Sequence, residues 1–272
     1  MSVPKSGLKS YDLDSWSDFK VLIGRVLSES AWGAGAENYW FRGHSSSSWP
    51  LRASFDRAFG DIDPALRRSV HQEMLVALRD RLDFSEDPAV IELRERLRLS
   101  PLDDIPELAA LAQHYGTPTR MLDWSESAYV AAFFGFAGFP LGGTSVGSED
   151  EEDCCSIIAL NRVASAWNSD SGVTLVQTDR RSNSRLRRQR GVFTLNSSMF
   201  GTLEEYCSEF CRSSGATDSA LIKMTLPKSE GPAALRDLEM MGITSESMFP
   251  GIEGAAKYAL VRSLDRLVWR TP

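Results

Sequence analysis

From Ser127 to Phe139 the chain reads Ser-Ala-Tyr-Val-Ala-Ala-Phe-Phe-Gly-Phe-Ala-Gly-Phe, without one charged residue. At helical period such a run leaves little room for a solvated face, so the helix it predicts has to be buried. The apolar stretch Ala128 to Leu141 is shorter than the roughly 20 residues that span a bilayer. Burial in protein rather than lipid is therefore expected, with no membrane partner. With 272 residues, 42% of them hydrophobic and 25% charged, the chain can build a substantial core, as one domain or as two packed lobes.

Charge and cysteine usage narrow the partners. A formal charge of -7 and a pI near 5.2 oppose broad adhesion to DNA or anionic membranes, although a local basic patch is compatible with them. Cys154, Cys155, Cys207 and Cys211 are too few and too oddly spaced for a disulfide scaffold, which points to the reducing cytosol. No CxxC pair with a nearby histidine completes a zinc pattern, so no metal is expected. Met1 to Tyr11 shows no charged start, apolar stretch and cleavage site, so no signal peptide is read and the localisation expected is cytoplasmic.

Trp16, Phe19, Leu22, Ile23, Val26 and Leu27 recur at helical period behind Asp14 and Ser15, predicting an opening amphipathic helix. A short strand over Asn38 to Arg42 follows, then a polar loop from Gly43 through Ser48. Leu66, Val70, Met74, Leu78 and Leu82 lie four apart and predict a helix over Pro64 to Leu82; Val90, Leu93 and Leu97 mark another, and Leu108, Leu111, Ala112 and Tyr115 a third. The first third is thus read as mostly helical. Thr119 to Leu122 reads as a strand, as do Cys155 to Leu160, Val173 to Gln177, Gly191 to Leu195 and Ala220 to Leu226. Helices are expected over Gly201 to Cys211, Pro232 to Met241 and Ile252 to Leu267. Helices first and short strands later suit an α+β fold with a mainly antiparallel sheet better than βαβ alternation.

Three groups of residues carry chemistry. Arg42 sits at a strand end beside Gly43, where its guanidinium can grip a phosphate or carboxylate bidentately or pair with a core carboxylate. Asp123-Trp124-Ser125-Glu126 precedes the apolar helix in a capping-box spacing; Asp123 can cap that helix, and the helix start can also bind an anion. His114 can donate to a ligand or serve as a structural hydrogen bonder, and Arg120, directed by Pro118, faces the same choice as Arg42. The third group is the run Arg180, Arg181, Arg185, Arg187, Arg188 and Arg190. It suits a phosphate-bearing ligand or an RNA backbone, or forms a solvated loop paired with Glu149 to Asp153. Few aromatics interleave with it, which weakens the RNA reading. Neither a nucleophile elbow nor a glycine-rich phosphate loop is present.

The blocks Phe41-Arg42-Gly43, Gln113-His114-Tyr115-Gly116-x-Pro118-Thr119-Arg120-x-Leu122-Asp123-Trp124-Ser125, Gln189-x-Gly191-x-Phe193-Thr194 and Gly242-Ile243 with Phe249-Pro250 and Gly254 resemble the FRG domain family. The resemblance implies a single domain over 1–272, within which the residue pattern gives a helical N-terminal extension over about 1–35 and the glycine-rich, then acidic composition a flexible loop over about 142–153. FRG domains occur in bacterial and phage proteins and by themselves imply little chemistry. More distantly, the succession is similar to ADP-ribosyltransferases of the arginine/serine/glutamate class. That similarity implies an ADP-ribosyltransferase-like split sheet and NAD as substrate, with Arg42, Asp123 and Gln189 as catalytic residues. Arg42, Gly43, His114, Tyr115, Arg120, Ser125 and Arg188 would bind the ligand. The activity implied is that of a transferase effector or toxin, with a protein or nucleic-acid acceptor and an antitoxin or phage-defence setting. A non-catalytic nucleotide- or anion-sensing module, or a protein-interaction module, is the alternative. Gln189 departs from the class, whose glutamate offsets charge at the anomeric carbon. A carboxylate from Asp123, Glu246 or Glu253 is then required for transfer.

Overall fold

A computed structural model describes residues 7–28, 38–82, 86–88, 90–91, 94–95, 105–137, 153–167, 172–177 and 187–269. Most of the acidic stretch 142–153, the arginines Arg180, Arg181 and Arg185, and much of the helix expected over 90–97 lie outside these residues.

Seven strands form one sheet in the order β1-β7-β4-β2-β3-β6-β5. They are β1 (Leu8–Asp12), β2 (Tyr39–His44), β3 (Met121–Ser125), β4 (Cys154–Asn161), β5 (Val173–Val176), β6 (Gly191–Asn196) and β7 (Leu221–Pro227). Every pairing is antiparallel except β1 with β7. The fold is α+β with a mainly antiparallel sheet, as the element order suggested.

Among the described residues the helices are α1 (Trp16–Ser28), α2 (Ser54–Ala58), α3 (Arg67–Leu82), α4 (Ile105–His114), α5 (Ala128–Ala137), α6 (Leu203–Ser214), α7 (Gly231–Met240), α8 (Ser245–Met248) and α9 (Ile252–Leu264). They cover both faces of the sheet. Strand alternation sends Tyr39 and Phe41 to one face, where they meet Phe19 and Ile23 of α1, Phe133 and Phe136 of α5 and Leu238 of α7. Trp40 points to the other face, with Leu51, Trp124, Ile158, Leu203 and Tyr206. A third cluster joins Leu75 of α3 and Leu108 of α4 to Met121, Phe193 and Leu195.

The apolar helix α5 is enclosed as its composition requires, and it lies directly on β2. A β-carbon added at Gly43 would fall onto the carbonyl of Ala131 and 2.6 Å from the amide of Gly135. Only a residue without a side chain lets the two backbones approach this closely. α6 is closed at both ends: Thr202 Oγ1 accepts from the Glu205 amide at 3.2 Å, the Glu205 carboxylate accepts from the Thr202 amide at 3.1 Å, and Gly215 takes the left-handed conformation with φ 72°.

Two expectations are corrected. The N-terminal segment is not wholly helical: β1 precedes α1 and pairs with β7, more than two hundred residues away, so local periodicity carried little sign of it. The strand expected over Thr119 to Leu122 runs instead over Met121–Ser125, placing Asp123 inside it. The helix expected over Pro64 to Leu82 is present as α3, with His71, Leu75 and Leu82 buried and Met74 and Leu78 packed against the same cluster, whereas Val70 and the preceding Leu66 are exposed.

Among the described residues no helix is long and apolar enough to cross a membrane, and no group of three His, Cys, Asp or Glu side chains is placed to hold a metal. The four cysteines are free thiols. Burial pushes the Cys155 thiol up to about 12 and that of Cys207 higher still, so neither is a ready thiolate.

Gly43→Ala is expected to cost about 3 kcal/mol, the upper end of overpacking penalties, because backbone rather than side chain blocks the new methyl group. Gly24→Ala, in α1 with nothing within 4 Å of the added carbon, is expected to gain about 0.5–1 kcal/mol. Urea unfolding of the two variants against the parent measures both.

Candidate functional site

β4 and β7 share seven paired positions and β2 and β4 six, but β2 and β3 meet only through Phe41 and Ser125. Beyond that bridge the central strands part. A cavity of about 850 Å³ opens there, lined by Arg42 to Ser45 from β2, Asp123 to Ser125 from β3, and Gln189 and Phe193 at the start of β6. Trp49, Arg52, Arg57, Gln113, His114 and Phe134 complete much of its wall. Its size is within the range of small-molecule sites.

Arg42 spans the gap. Its Nε donates to His44 Nε2 at 2.9 Å and its Nη1 to the carbonyl of Asp123 at 2.6 Å, with Asp123 Oδ2 at 3.8 Å from the same nitrogen. Burial lowers the Arg42 pKa and the Asp123 charge raises it; a guanidinium so placed stays charged. About a fifth of its side-chain surface still faces solvent.

His44 lies two residues on, on the same strand face, and is buried. Since its Nε2 accepts from Arg42, the proton sits on Nδ1, which donates to the Trp49 carbonyl at 3.2 Å. Burial, then the neighbouring Arg42 charge, pushes its pKa down to about 3, so the ring is a neutral acceptor that aims the guanidinium.

Asp123 is the carboxylate of the cavity lining. Its side chain is 62% exposed, Oδ1 accepts from Gln113 Nε2 at 2.7 Å, and Gln113 Oε1 in turn accepts from Thr119 Oγ1 at 2.7 Å. It does not cap α5. That work falls to Ser125, whose Oγ accepts from the Ser127 amide at 3.1 Å, and to Ser127, whose Oγ accepts from Val130 at 3.3 Å. Ser125 Oγ also donates to the Gln189 carbonyl at 2.8 Å, while Gln189 Nε2 donates to the Met248 carbonyl at 3.2 Å.

The segment carrying β2, the apolar helix and every residue between them, positions 37–139, matches the family model of the FRG domain. That stretch, under half of the chain, is similar to the FRG domain. Arg42, His44, Gln113 and Asp123 fall inside the matched segment, whereas Gln189 and Phe193 reach the cavity from β6, beyond it. No curated protein and no solved structure matches the chain.

The structure brings Arg42, Gly43, His114, Asp123, Ser125 and Gln189 to one cavity and leaves three expected ligand binders outside its lining. Arg120 is completely buried. Its Nε bonds both carboxylate oxygens of Asp56 at 3.2 Å, Nη1 the Ser198 carbonyl at 2.7 Å and Nη2 the Phe200 carbonyl at 2.8 Å, so it is a core residue. Tyr115 is exposed and donates to Asp87 at 3.2 Å, a bond that raises its pKa. Arg188 is exposed on the surface near Ser247, and Arg187 and Arg190 are likewise exposed and absent from the lining. Of the carboxylates considered as substitutes, Glu246 and Glu253 lie outside the lining, and Glu253 pairs with Lys257 at 2.6 Å. Gly43 lines the cavity, but its small size is demanded by α5.

Reading the sequence missed His44 as a partner of Arg42, Gln113 as a partner of Asp123, and Arg52, Arg57 and Trp49 as lining groups. Strand period alone pointed to His44, because residues two apart share a face. Nothing local pointed to Arg52 or Arg57.

Asp56→Ala leaves the Arg120 charge buried without its counter-ion, and about 3–5 kcal/mol of stability is expected to be lost in urea unfolding. A second expectation concerns pH. His44 is pushed down to about 3 and His71, buried beside Arg120 and accepting from its backbone amide at 3.2 Å, to about 4. Below about pH 6.5 the unfolded chain takes up a proton on each ring and the folded protein does not, so stability falls as pH drops from about 6.5 toward 4. The slope is up to about 1.4 kcal/mol per pH unit for each ring. Unfolding at about pH 7 and about pH 5 should show that loss, and His71→Gln should make it shallower.

Proposed function

We propose that this cavity binds NAD in the manner of an ADP-ribosyltransferase, with the dinucleotide lying in the gap between β2 and β3. One observation carries the reading: Arg42, the pair Asp123 and Ser125, and Gln189, from stretches far apart in sequence, line a single cavity at the point where the sheet is nearly cut in two. Support comes also from the order of parts, with an arginine on one central strand, a serine closing the next before an apolar helix, and a third strand opening just after Gln189.

In this reading Arg42 holds phosphate oxygens with a fork already aimed by His44. Cleavage of the bond between ribose and nicotinamide releases nicotinamide with the bonding electron pair and leaves positive charge on the ribose, which an acceptor nucleophile on a protein or nucleic acid then quenches. Asp123 is the group able to offset that charge, since Gln189 offers an amide to a ribose hydroxyl but no charge. Gln113 keeps the Asp123 carboxylate oriented. Such an activity suits a toxin or defence effector kept in check by a partner.

A second reading has its own support: the Gln189 amide is already engaged by the Met248 carbonyl and carries no charge, which suits a pocket that senses a nucleotide without turning it over. Incubation of the protein with NAD labelled in both halves separates the two. Transfer predicts free nicotinamide and a labelled acceptor. Asp123→Asn is expected to lower turnover at least about a hundredfold with binding nearly unchanged, as loss of a charge acting mainly in the transition state does. Arg42→Ala is expected to weaken NAD binding about ten- to a hundredfold. NAD-dependent thermal stabilisation without nicotinamide release supports sensing, and the absence of any NAD effect on melting or product overturns both readings.

A further inference from the structure

Among the described residues the charged side chains lining the cavity are Arg42, Arg52, Arg57 and Asp123, so three guanidinium groups face one carboxylate in a chain whose net charge is -7. That carboxylate is already engaged by Gln113 at 2.7 Å and by the backbone-anchored Arg42. Arg57 donates from Nη1 to the Arg52 carbonyl at 2.7 Å, and among the described residues neither Arg52 nor Arg57 forms an ion pair. The nearest acid in sequence, Asp56, is buried and paired with Arg120, and the Arg52 charge acts on it more weakly than Arg120 does. Beyond burial, which lowers the Arg42 pKa, and Asp123, which raises it, the Arg57 charge lowers it, so like charges oppose each other across this wall. Such repulsion is relieved by an anion carrying more than one charge.

We propose that Arg52, just before α2, and Arg57, in its last turn, form a second anion subsite beside Arg42, so that the cavity selects ligands with two linked phosphates over ligands with one. The proposal rests on the nucleotide reading of the same cavity and narrows it. One guanidinium fork matches one phosphate, and a diphosphate presents two at a fixed spacing. It also ranks the ligands by spacing rather than by charge alone: ADP-ribose presents two linked phosphates, NAD the same two with a compensating positive nicotinamide, and AMP one phosphate that already carries about -1.5 to -2.

Calorimetric titration of the full chain with inorganic phosphate, inorganic pyrophosphate, AMP, ADP-ribose and NAD tests it. Pyrophosphate and ADP-ribose are expected to bind at least about tenfold tighter than phosphate and AMP. Arg57→Gln, which keeps a donor for the Arg52 carbonyl, is expected to weaken ADP-ribose about tenfold and AMP less than about twofold, and Arg57→Lys to recover part of the loss. Circular dichroism of each variant checks that the fold is retained.

AMP and ADP-ribose binding equally, or Arg57→Gln leaving ADP-ribose unaffected while Arg42→Ala abolishes its binding, overturns the proposal and leaves the nucleotide reading standing. Arg57-dependent binding of pyrophosphate with no binding of NAD or ADP-ribose supports the subsite and overturns the nucleotide reading. Failure of all five to bind overturns both.

Discussion

The architecture turns on one residue pair. Phe41 and Ser125 hold the two halves of the sheet together, and past them β2 and β3 stop pairing. Strands that part in the middle of a sheet leave backbone groups in need of partners. Here the Asp123 carbonyl is taken by the Arg42 guanidinium, which His44 holds from the other side. A cation therefore stands in the gap, and a neutral imidazole keeps it directed there. The same opening is the mouth of the cavity.

Two supports keep the gap in shape. Beneath it, α5 is pressed onto β2 where Gly43 meets Ala131 and Gly135, so the strand bearing Arg42 rests on a helix with little freedom to shift. Beside it, the buried Arg120 gathers Asp56 of α2, the His71 imidazole of α3 and the carbonyls of Ser198 and Phe200 around the entry to β3. A charge taken out of water stays stable only when it is fully partnered, which makes this cluster intolerant of displacement. Its consequence reaches the surface: by holding Asp56 it fixes the short helix that places Arg57 on the cavity rim, and Phe55 and Ser54 bond Thr119 from the same helix.

Arg42 and Arg120 show why identical side chains in neighbouring motifs were not equally readable. Both follow a strand-like or proline-directed segment, and both have the chemistry to hold an anion. Arg42 keeps a solvent-facing side because the sheet opens beside it. Arg120 lost that side because Asp56, sixty-four positions earlier, folds against it. Asp123 is a related case. Its spacing to Glu126 matched a helix cap, yet β3 extends past it through pairing with β6, and the serines that follow start the helix instead.

The residues of this chain were enough to require an enclosed helix over its charge-free run, to place Arg42 on a strand beside a glycine, and to suggest a largely antiparallel α+β arrangement, because those features depend on local period and residue chemistry. Where the sheet separates, which carboxylates remain available, and that Gln189, Arg52 and Arg57 meet Arg42 at one wall depended on pairing between distant segments. Burial and ion pairing are properties of that meeting, and no window along the chain contains both partners.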